Sequence, residues 1–149
     1  WFKYHQGRRC LVFWGSHNAG LIRHASTVKL LVPGPLLSQD EFQRAVESTG
    51  PFPGAGTSQD ISTRLGLVHA RHMLIEDQSY HWDQPVGGEQ PGWKFVLRFR
   101  EGQDEILLAF DTSRHLVQIV GGGEPVVMGR MLGQLEKYLG VAAPLPAAN

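Results

Sequence analysis

The residues best suited to chemistry in this sequence are histidines, of which the chain has seven. His69 and His72 are three positions apart, so on a helix they lie on one face. His81 and Asp83 follow shortly after them, and imidazole nitrogens with a carboxylate oxygen form a ligand set that zinc accepts. No H-E-x-x-H pattern and no paired cysteines accompany these residues. An enzyme with a histidine-lined, metal-dependent pocket is therefore kept as the alternative interpretation, and no metal or other cofactor is predicted.

Two further pairs have the residue types of a catalytic site but lack its spacing. Ser16 and His17 are adjacent, and the G-x-S-x-G pattern of a hydrolase nucleophile is not met around them. Asp111 and His115 flank a tight turn, where a short polar side chain usually stabilises the turn itself. The sequence therefore predicts no catalytic residues, and we expect a protein that is not an enzyme.

The stretch Tyr80, His81 and Trp82 is the predicted binding site. It lies in a long link, residues 77–92, and links of more than about 12 residues without their own secondary structure are often functional. Tyr and Trp are enriched among the residues that dominate interfaces, because each combines an apolar body with a polar group. The competing interpretation is that Tyr80 and Trp82 fold back over the preceding helix end.

The function predicted from this stretch is a non-catalytic binding or assembly module with a protein partner. A small subunit of a larger complex or an envelope-associated protein would fit that description. Lys plus Arg and Asp plus Glu both number 14, and a net charge of zero argues against a nucleic-acid groove.

Length and composition indicate the class of protein. A chain of 149 residues favours one domain. No apolar run approaches the ~20 residues of a membrane span, and a single cysteine, Cys10, allows no internal disulfide. Because the chain begins at Trp1 rather than Met, a removed signal segment and an exported or envelope-associated location stay open, and no localisation is predicted.

The stretch 93–120 contains three strand-like runs separated by two short turns, which is the pattern of a β-meander, and its first run, 93–100, alternates between two faces in the period of a strand. The predicted strands span 94–100, 105–111 and 115–120. The links between them are short, so neighbouring strands should be antiparallel. Phe95, Leu97 and Phe99 should face inward, and the run 106–110, apolar on both faces, is typical of a covered central strand.

The N-terminal third predicts two further strands and one helix. Residues 9–14 and 27–32 are rich in branched and aromatic residues, which favours strands. A capping box that begins at Ser38 predicts a helix over 39–49. Residues 50–60 contain several glycines and prolines and are predicted to form a loop.

Two more helices complete the predicted fold. The first runs over about 62–76, and the second starts near Pro125 and stops at Gly140. The stripe expected to bury the first of them is Ile61, Leu65, Val68, His72 and Ile75. The fold class is therefore α+β, a single domain over 1–140 followed by a flexible tail, 141–149. About three helices should pack on one face of a largely antiparallel sheet, since each has one apolar stripe.

From residue 65 onward, the order of elements resembles a group of small, uncharacterised bacterial α+β domains. In that group a helix ends near an Asp-x-x-Ser-Tyr-like stretch, as at 77–80 here, and a Pro-Gly step, here Pro91 and Gly92, leads into a strand. The next strand often carries Cys-Phe-x-Cys. This chain has Ala-Phe-Asp-Thr at 109–112, so any thiol or metal role of those cysteines does not carry over. The resemblance implies the order of the fold and supplies no activity.

Overall fold

The computed structural model describes residues 8–35, 37–48, 52–53, 57–121 and 124–141. Within them the chain has an α+β fold. The helices are α1 (Arg8–Trp14), α2 (Ser16–His24), α3 (Gln39–Glu47), α4 (Leu67–Leu74) and α5 (Met131–Leu139), with a short 3-10 helix at Asp77–Ser79. The strands are β1 (Thr27–Val32), β2 (Thr57–Asp60), β3 (Phe95–Glu101), β4 (Asp104–Asp111), β5 (Leu116–Ile119) and β6 (Val126–Val127). No helix in the described ranges is long and apolar enough to cross a membrane.

The six strands form one antiparallel sheet in the order β2-β1-β3-β4-β5-β6. The predicted meander is confirmed, because β3, β4 and β5 are consecutive neighbours. In the β3–β4 pair, Phe95 lies opposite Phe110, and the two rings stack with centroids 4.7 Å apart. Such cross-strand aromatic pairs help to fix the register of a sheet.

Both faces of the central strands are buried, and this corrects the expectation that all helices pack on one side. Phe95, Leu97 and Phe99 belong to the core that α1, α2, α4 and α5 cover. Val96 and Ala109 point to the opposite face and pack with residues of α3. A strand with apolar residues on both faces needs a cover on each, so one layer of helices is not enough.

Helix α3 begins where its capping box predicted. The Ser38 hydroxyl accepts from the Glu41 backbone N–H, and the Glu41 carboxylate accepts from the Ser38 N–H. Phe42 and Val46 are buried against the sheet. The Gln43 side chain bonds both the N–H and the carbonyl of Trp93, so polar contacts as well as packing fix this helix at the start of β3.

Residues 9–14 were predicted as a strand and are instead part of helix α1. Cys10 and Trp14 are the buried positions, and a spacing of four residues places them on one helical face. Leu11 and Val12, which a strand would bury in part, are exposed. The β-propensity of the run is overridden by packing, as is common for short apolar segments.

Two predictions for the segment 50–76 are also wrong in detail. Residues 57–60 are not loop but form β2, an exposed polar strand that pairs with β1. The helix predicted over 62–76 is confined to α4, after turns at 62–66. Leu65 and Val68 of the expected buried stripe are exposed, because Leu65 lies in the turn before α4 and the face that α4 buries carries Leu67, Met73 and Leu74 instead.

The C-terminal helix starts later than predicted. Pro125 precedes a two-residue strand, β6, and does not open a helix. Helix α5 begins at Met131. It ends before Gly140, which is the stop that the sequence predicted. Leu132 and Leu135 are buried, and Lys94, the residue before β3, pairs with Glu136 at 3.1 Å. The predicted flexible tail, 141–149, falls outside the described residues except for Val141.

Leu108 is a stringent test of this core, because it lies on β4 and is fully buried. We expect Leu108→Ala to lower the free energy of unfolding by about 2–5 kcal/mol, since the truncation leaves a cavity between sheet and helices. Urea denaturation of the variant measures the change. The matched control is Leu65→Ala, where the side chain is 93% exposed and the change should stay within about 0.5 kcal/mol. A loss below about 1 kcal/mol at Leu108 would contradict this packing.

Candidate functional site

Two of the three predicted binding residues have structural roles. Tyr80 is buried, and its hydroxyl donates to the Leu74 carbonyl at 2.6 Å. Trp82 is half-buried against the core, and its indole N–H donates to the Asp77 carbonyl at 3.0 Å. Burial raises the pKa of Tyr80 well above its ordinary value, so the phenol stays a hydrogen-bond donor. The contacts of both rings therefore agree with the competing interpretation, in which they fold back over the helix end.

Tyr80 and Trp82 belong to an aromatic cluster with two residues of α1, Phe13 and Trp14. Trp82 meets Phe13 at 5.6 Å and Tyr80 at 5.0 Å between ring centroids, and Trp14 meets Tyr80 at 6.3 Å. The Trp14 indole N–H also donates to the Leu74 carbonyl, at 3.2 Å. That carbonyl ends α4 and has no partner within its own helix, so the two aromatic donors cap it.

Asp77 fixes the start of α1 from a distance. Its carboxylate accepts from the backbone N–H of Arg9 at 3.1 Å and of Cys10 at 2.8 Å. These are amides that the first turn of a helix leaves without partners. A carboxylate there also interacts favourably with the partial positive charge of the helix dipole at the N-terminus. Partial burial acts to raise the pKa of Asp77, but the N–H donors outweigh it and the net pKa is lowered.

His81, in contrast, is exposed and lines two adjoining pockets, which together we call the His81 cleft. The larger has a volume of about 530 Å³ and the smaller about 300 Å³. The two pockets share His81, Gly129 and Arg130. The larger is completed by Glu76, Gln78, Ser79 and Met131, and the smaller by Gln84, Arg114, His115, Val127 and Met128.

The segment that carries His81 is attached to the sheet by its backbone. The His81 N–H donates to the Val127 carbonyl at 2.8 Å, and the Gly129 N–H donates to the Ser79 carbonyl at 2.8 Å. Tyr80 forms a bridge with Met128 between these bonds. At Gly129 a Cβ would lie 3.2 Å from His81 Nε2, so glycine allows the imidazole to approach the backbone closely. The segment predicted as an irregular link thus extends the β6 edge.

Asp111 stabilises the turn between β4 and β5, which forms the wall of the His81 cleft opposite the segment that carries His81. Its carboxylate is fully buried and accepts from the backbone N–H groups of Gly92, Ser113 and Arg114 at 2.9–3.1 Å. The Ser113 hydroxyl adds a fourth bond at 3.0 Å. The prediction that Asp111 serves the turn is confirmed.

His115 completes that turn in the left-handed conformation, with φ 57°. Non-glycine residues adopt it uncommonly, and His is among those that tolerate it best. His115 is exposed, and its carbonyl accepts from the Met128 N–H at 2.7 Å. The turn and the β6 edge are therefore joined by a backbone bond directly beside the cleft.

The charge of the cleft is mainly positive. Arg130 is exposed, and no carboxylate in the described part of the chain pairs with it. The Arg114 guanidinium donates to the Val86 carbonyl at 2.9 Å and to the Glu89 carbonyl, so it anchors the link while its charge stays at the wall. Glu76 is the acidic residue of the larger pocket.

The remaining sequence candidates are not assembled into a metal centre. In the described ranges no three or more His, Cys, Asp or Glu residues form a group that could hold a metal ion. Asp83 lies 3.5 Å from the Arg9 guanidinium, and its side chain is almost fully exposed. His69 and His72 lie on the outer side of α4, away from the His81 cleft lining.

Sequence reasoning selected His81, interpreted His115 as a residue of a turn, and did not single out Arg114 or Arg130. The one local signal was the polar turn after β4, with a histidine next to an arginine. Nothing in the sequence indicated that this turn, the link and the start of α5 meet.

No family model matches the chain, and no curated protein or solved structure is significantly similar to it. The resemblance of residues 65 onward to small bacterial domains therefore stays a prediction.

The Asp77 cap predicts how stability depends on pH. Because the pKa of Asp77 is lower in the folded than in the unfolded chain, its contribution is present above the unfolded value, 3.8–3.9, and is lost as the pH falls through the folded value. We expect Asp77→Asn to lower the unfolding free energy by about 0.5–2 kcal/mol near neutral pH. The difference from the unmodified protein should shrink below about pH 4.

Urea unfolding at a series of pH values measures this difference. Asp104→Asn is the control, because that residue is exposed at the start of β4. A difference between the Asp77 variant and the unmodified protein that stays constant down to about pH 3 would contradict the capping role.

Proposed function

We propose that this protein is a non-catalytic binding module for a small anionic ligand, and that the His81 cleft is its binding site. The observation that carries the proposal is the convergence of four basic residues on one pocket of about 300 Å³: His81, Arg114, His115 and Arg130. They come from three separate segments of the chain. Several polar groups that meet in a concave site are a general feature of ligand-binding pockets.

The chemistry of the cleft favours a carboxylate or a phosphate. A guanidinium offers paired N–H donors that match the two oxygens of such a group. Arg130 offers such a pair of N–H donors where the two pockets meet. The N–H groups of Arg114 are already bonded to the carbonyls of Val86 and Glu89 in the link. The Glu76 carboxylate would repel a ligand whose negative charge extended into the larger pocket. An anionic group bound next to Arg130, with a neutral or cationic remainder towards Glu76, fits both pockets.

The walls of the cleft are held before any ligand binds. One wall is fixed by the four hydrogen bonds to Asp111 and the other by the bonds of 79–81 with 127–129. A preorganised site pays little conformational entropy on binding. This rigidity supports a binding role, because the side chains that face the ligand extend from fixed backbone.

An enzyme with a histidine-lined pocket is the second candidate. The observation that favours it is the presence of His81 and His115 on the same pocket, since imidazole is the commonest general acid or base near neutral pH. Assembly into a complex through a protein partner remains a further part of the proposal, with an acidic side chain of the partner as the group bound in the cleft.

The proposal is tested by titrating the protein with inorganic phosphate and with succinate, followed by backbone amide NMR. We expect saturable shifts at residues 79–81, 114–115 and 129–130. Arg130→Gln and His81→Ala should each weaken binding by about tenfold, because a hydrogen bond to a charged group contributes about 1.5–3 kcal/mol. Both side chains are exposed, so both variants should unfold like the unmodified protein.

Lys137→Gln is the matched control, because this exposed cation lies on α5 outside the cleft lining. Its affinity should equal that of the unmodified protein. Shifts that are absent, that do not saturate, or that respond equally to the Lys137 and Arg130 variants would overturn the anion site. Turnover of a phosphate ester or a carboxylate ester that is lost in His81→Ala would replace the binding module by the enzyme.

A further inference from the structure

The two formally charged side chains of the larger pocket of the His81 cleft have opposite signs. Arg130 contributes a guanidinium and Glu76 a carboxylate, and both line the same volume of about 530 Å³. In the ranges that the structure describes, no ion pair joins these two side chains, and neither of them pairs with another charged group. Each of the two charges is therefore available to a ligand that fills the pocket.

The two charges extend from backbone that is fixed in place. Glu76 follows α4, and its N–H donates to the Met73 carbonyl at 3.4 Å. Arg130 immediately precedes α5. The two segments are joined between these residues, because the Gly129 N–H donates to the Ser79 carbonyl at 2.8 Å. The positive and negative ends of the pocket thus belong to one hydrogen-bonded frame.

The surroundings of Arg130 favour a carboxylate. A guanidinium offers paired N–H donors that match the two carboxylate oxygens. Arg130 is also the N-cap residue of α5, and no side chain among the described residues caps this helix. The partial positive charge of the helix N-terminus therefore adds to the charge of the guanidinium.

The surroundings of Glu76 favour an ammonium group. An ammonium has three donors and no acceptor, so the Glu76 carboxylate can accept from one N–H and the exposed Gln78 side chain from a second. Glu76 is half-buried, and a neutral apolar group placed over it would remove water from the carboxylate without replacing its hydrogen bonds. A cationic donor avoids that cost.

We propose that the larger pocket binds a small zwitterion, with its carboxylate at Arg130 and its ammonium group at Glu76. This is the chemistry of a free amino acid and of a short unblocked peptide. Zwitterion binding rests on the anion site of the proposed function and adds the second half of the ligand. The alternatives each meet repulsion at one end, a dianion at Glu76 and a diamine at Arg130. The volume suits a small molecule, since such pockets span about 300–1,000 Å³.

Butyrate, succinate and 4-aminobutyrate, which have similar lengths and different charges, test the proposal. Each is titrated into the full chain and followed by backbone amide NMR. We expect 4-aminobutyrate to bind about fivefold more tightly than butyrate, which is the upper range for a partly exposed ion pair. Its saturable shifts should include residues 76 and 78 as well as 129–131, whereas those of butyrate should be confined to 129–131. Succinate should bind more weakly than 4-aminobutyrate.

The variant Glu76→Gln separates the two ends of the pocket. It should remove the preference for 4-aminobutyrate and leave the affinity for butyrate unchanged, because only the ammonium group contacts this end. Asp104→Asn is again the charge-matched control, since Asp104 is exposed at the start of β4 and outside the cleft lining. It should keep the preference. Thermal unfolding of both variants separates lost affinity from lost structure.

Glycine and triglycine distinguish a free amino acid from a peptide as the source of the zwitterion. The ligand class is assigned to the one whose affinity falls in Glu76→Gln. N-acetyl-triglycine lacks the ammonium group, so its affinity should be the same in Glu76→Gln and in the unmodified protein.

The possible failures are distinguishable. If butyrate and phosphate give no saturable shifts at 129–131, the anion site and the zwitterion site are both overturned. If butyrate binds there but 4-aminobutyrate binds no more tightly, the anion site stands and the zwitterion site is overturned. An equal effect of Glu76→Gln and Asp104→Asn on 4-aminobutyrate would also overturn the zwitterion site alone.

Discussion

Strand β4 of this protein is apolar on both faces, its neighbour β3 buries Val96 opposite its aromatic face, and the rest of the fold follows from the need to cover these residues. Phe95, Leu97 and Phe99 demand a cover on one side, and Val96 and Ala109 on the other. Four helices supply the first cover and α3 the second. Sheet hydrogen bonds hold the strands together, but the burial of apolar surface is the dominant favourable contribution to a fold of this kind. The unequal division of helices leaves one thick and one thin layer around the sheet.

The thick layer has its own organising contact, the end of α4. Its last carbonyl, at Leu74, accepts from Trp14 and Tyr80, and the carboxylate of Asp77 immediately beyond it caps α1. Aromatic side chains that resemble an exposed interface motif in the sequence are used here to join two helices. Tyr80 is buried and Trp82 is half-buried, so His81 is the residue of the predicted binding stretch that faces solvent.

The His81 cleft depends on buried polar groups rather than on apolar packing. Asp111 is fully buried and accepts four hydrogen bonds, which offsets the cost of removing a carboxylate from water. Those bonds shape the turn in which Arg114 turns back to the link and His115 takes a left-handed conformation. The positions of Arg114 and His115 at the wall of the cleft thus depend on a buried carboxylate that is not itself part of the cleft lining.

The sequence by itself determined the elements whose signals are local. The meander over 93–120 follows from its alternation and its turns, and α3 follows from the capping box at Ser38, because both patterns act between residues a few positions apart. His81 was found as a candidate for the same reason, as an unusual residue type in an unusual stretch.

Only the tertiary structure decided the rest. Helix α1 has seven residues, too few to be stable alone, and its first N–H groups are capped by Asp77, 67 and 68 positions away. Strand β2 is polar throughout and exists because β1 offers it an edge. The cleft gathers Arg114, His115 and Arg130 beside His81 through backbone bonds between the link, a turn and β6. Contacts between residues so far apart depend on packing, and the packing energy is a property of the assembled core and not of any one stretch.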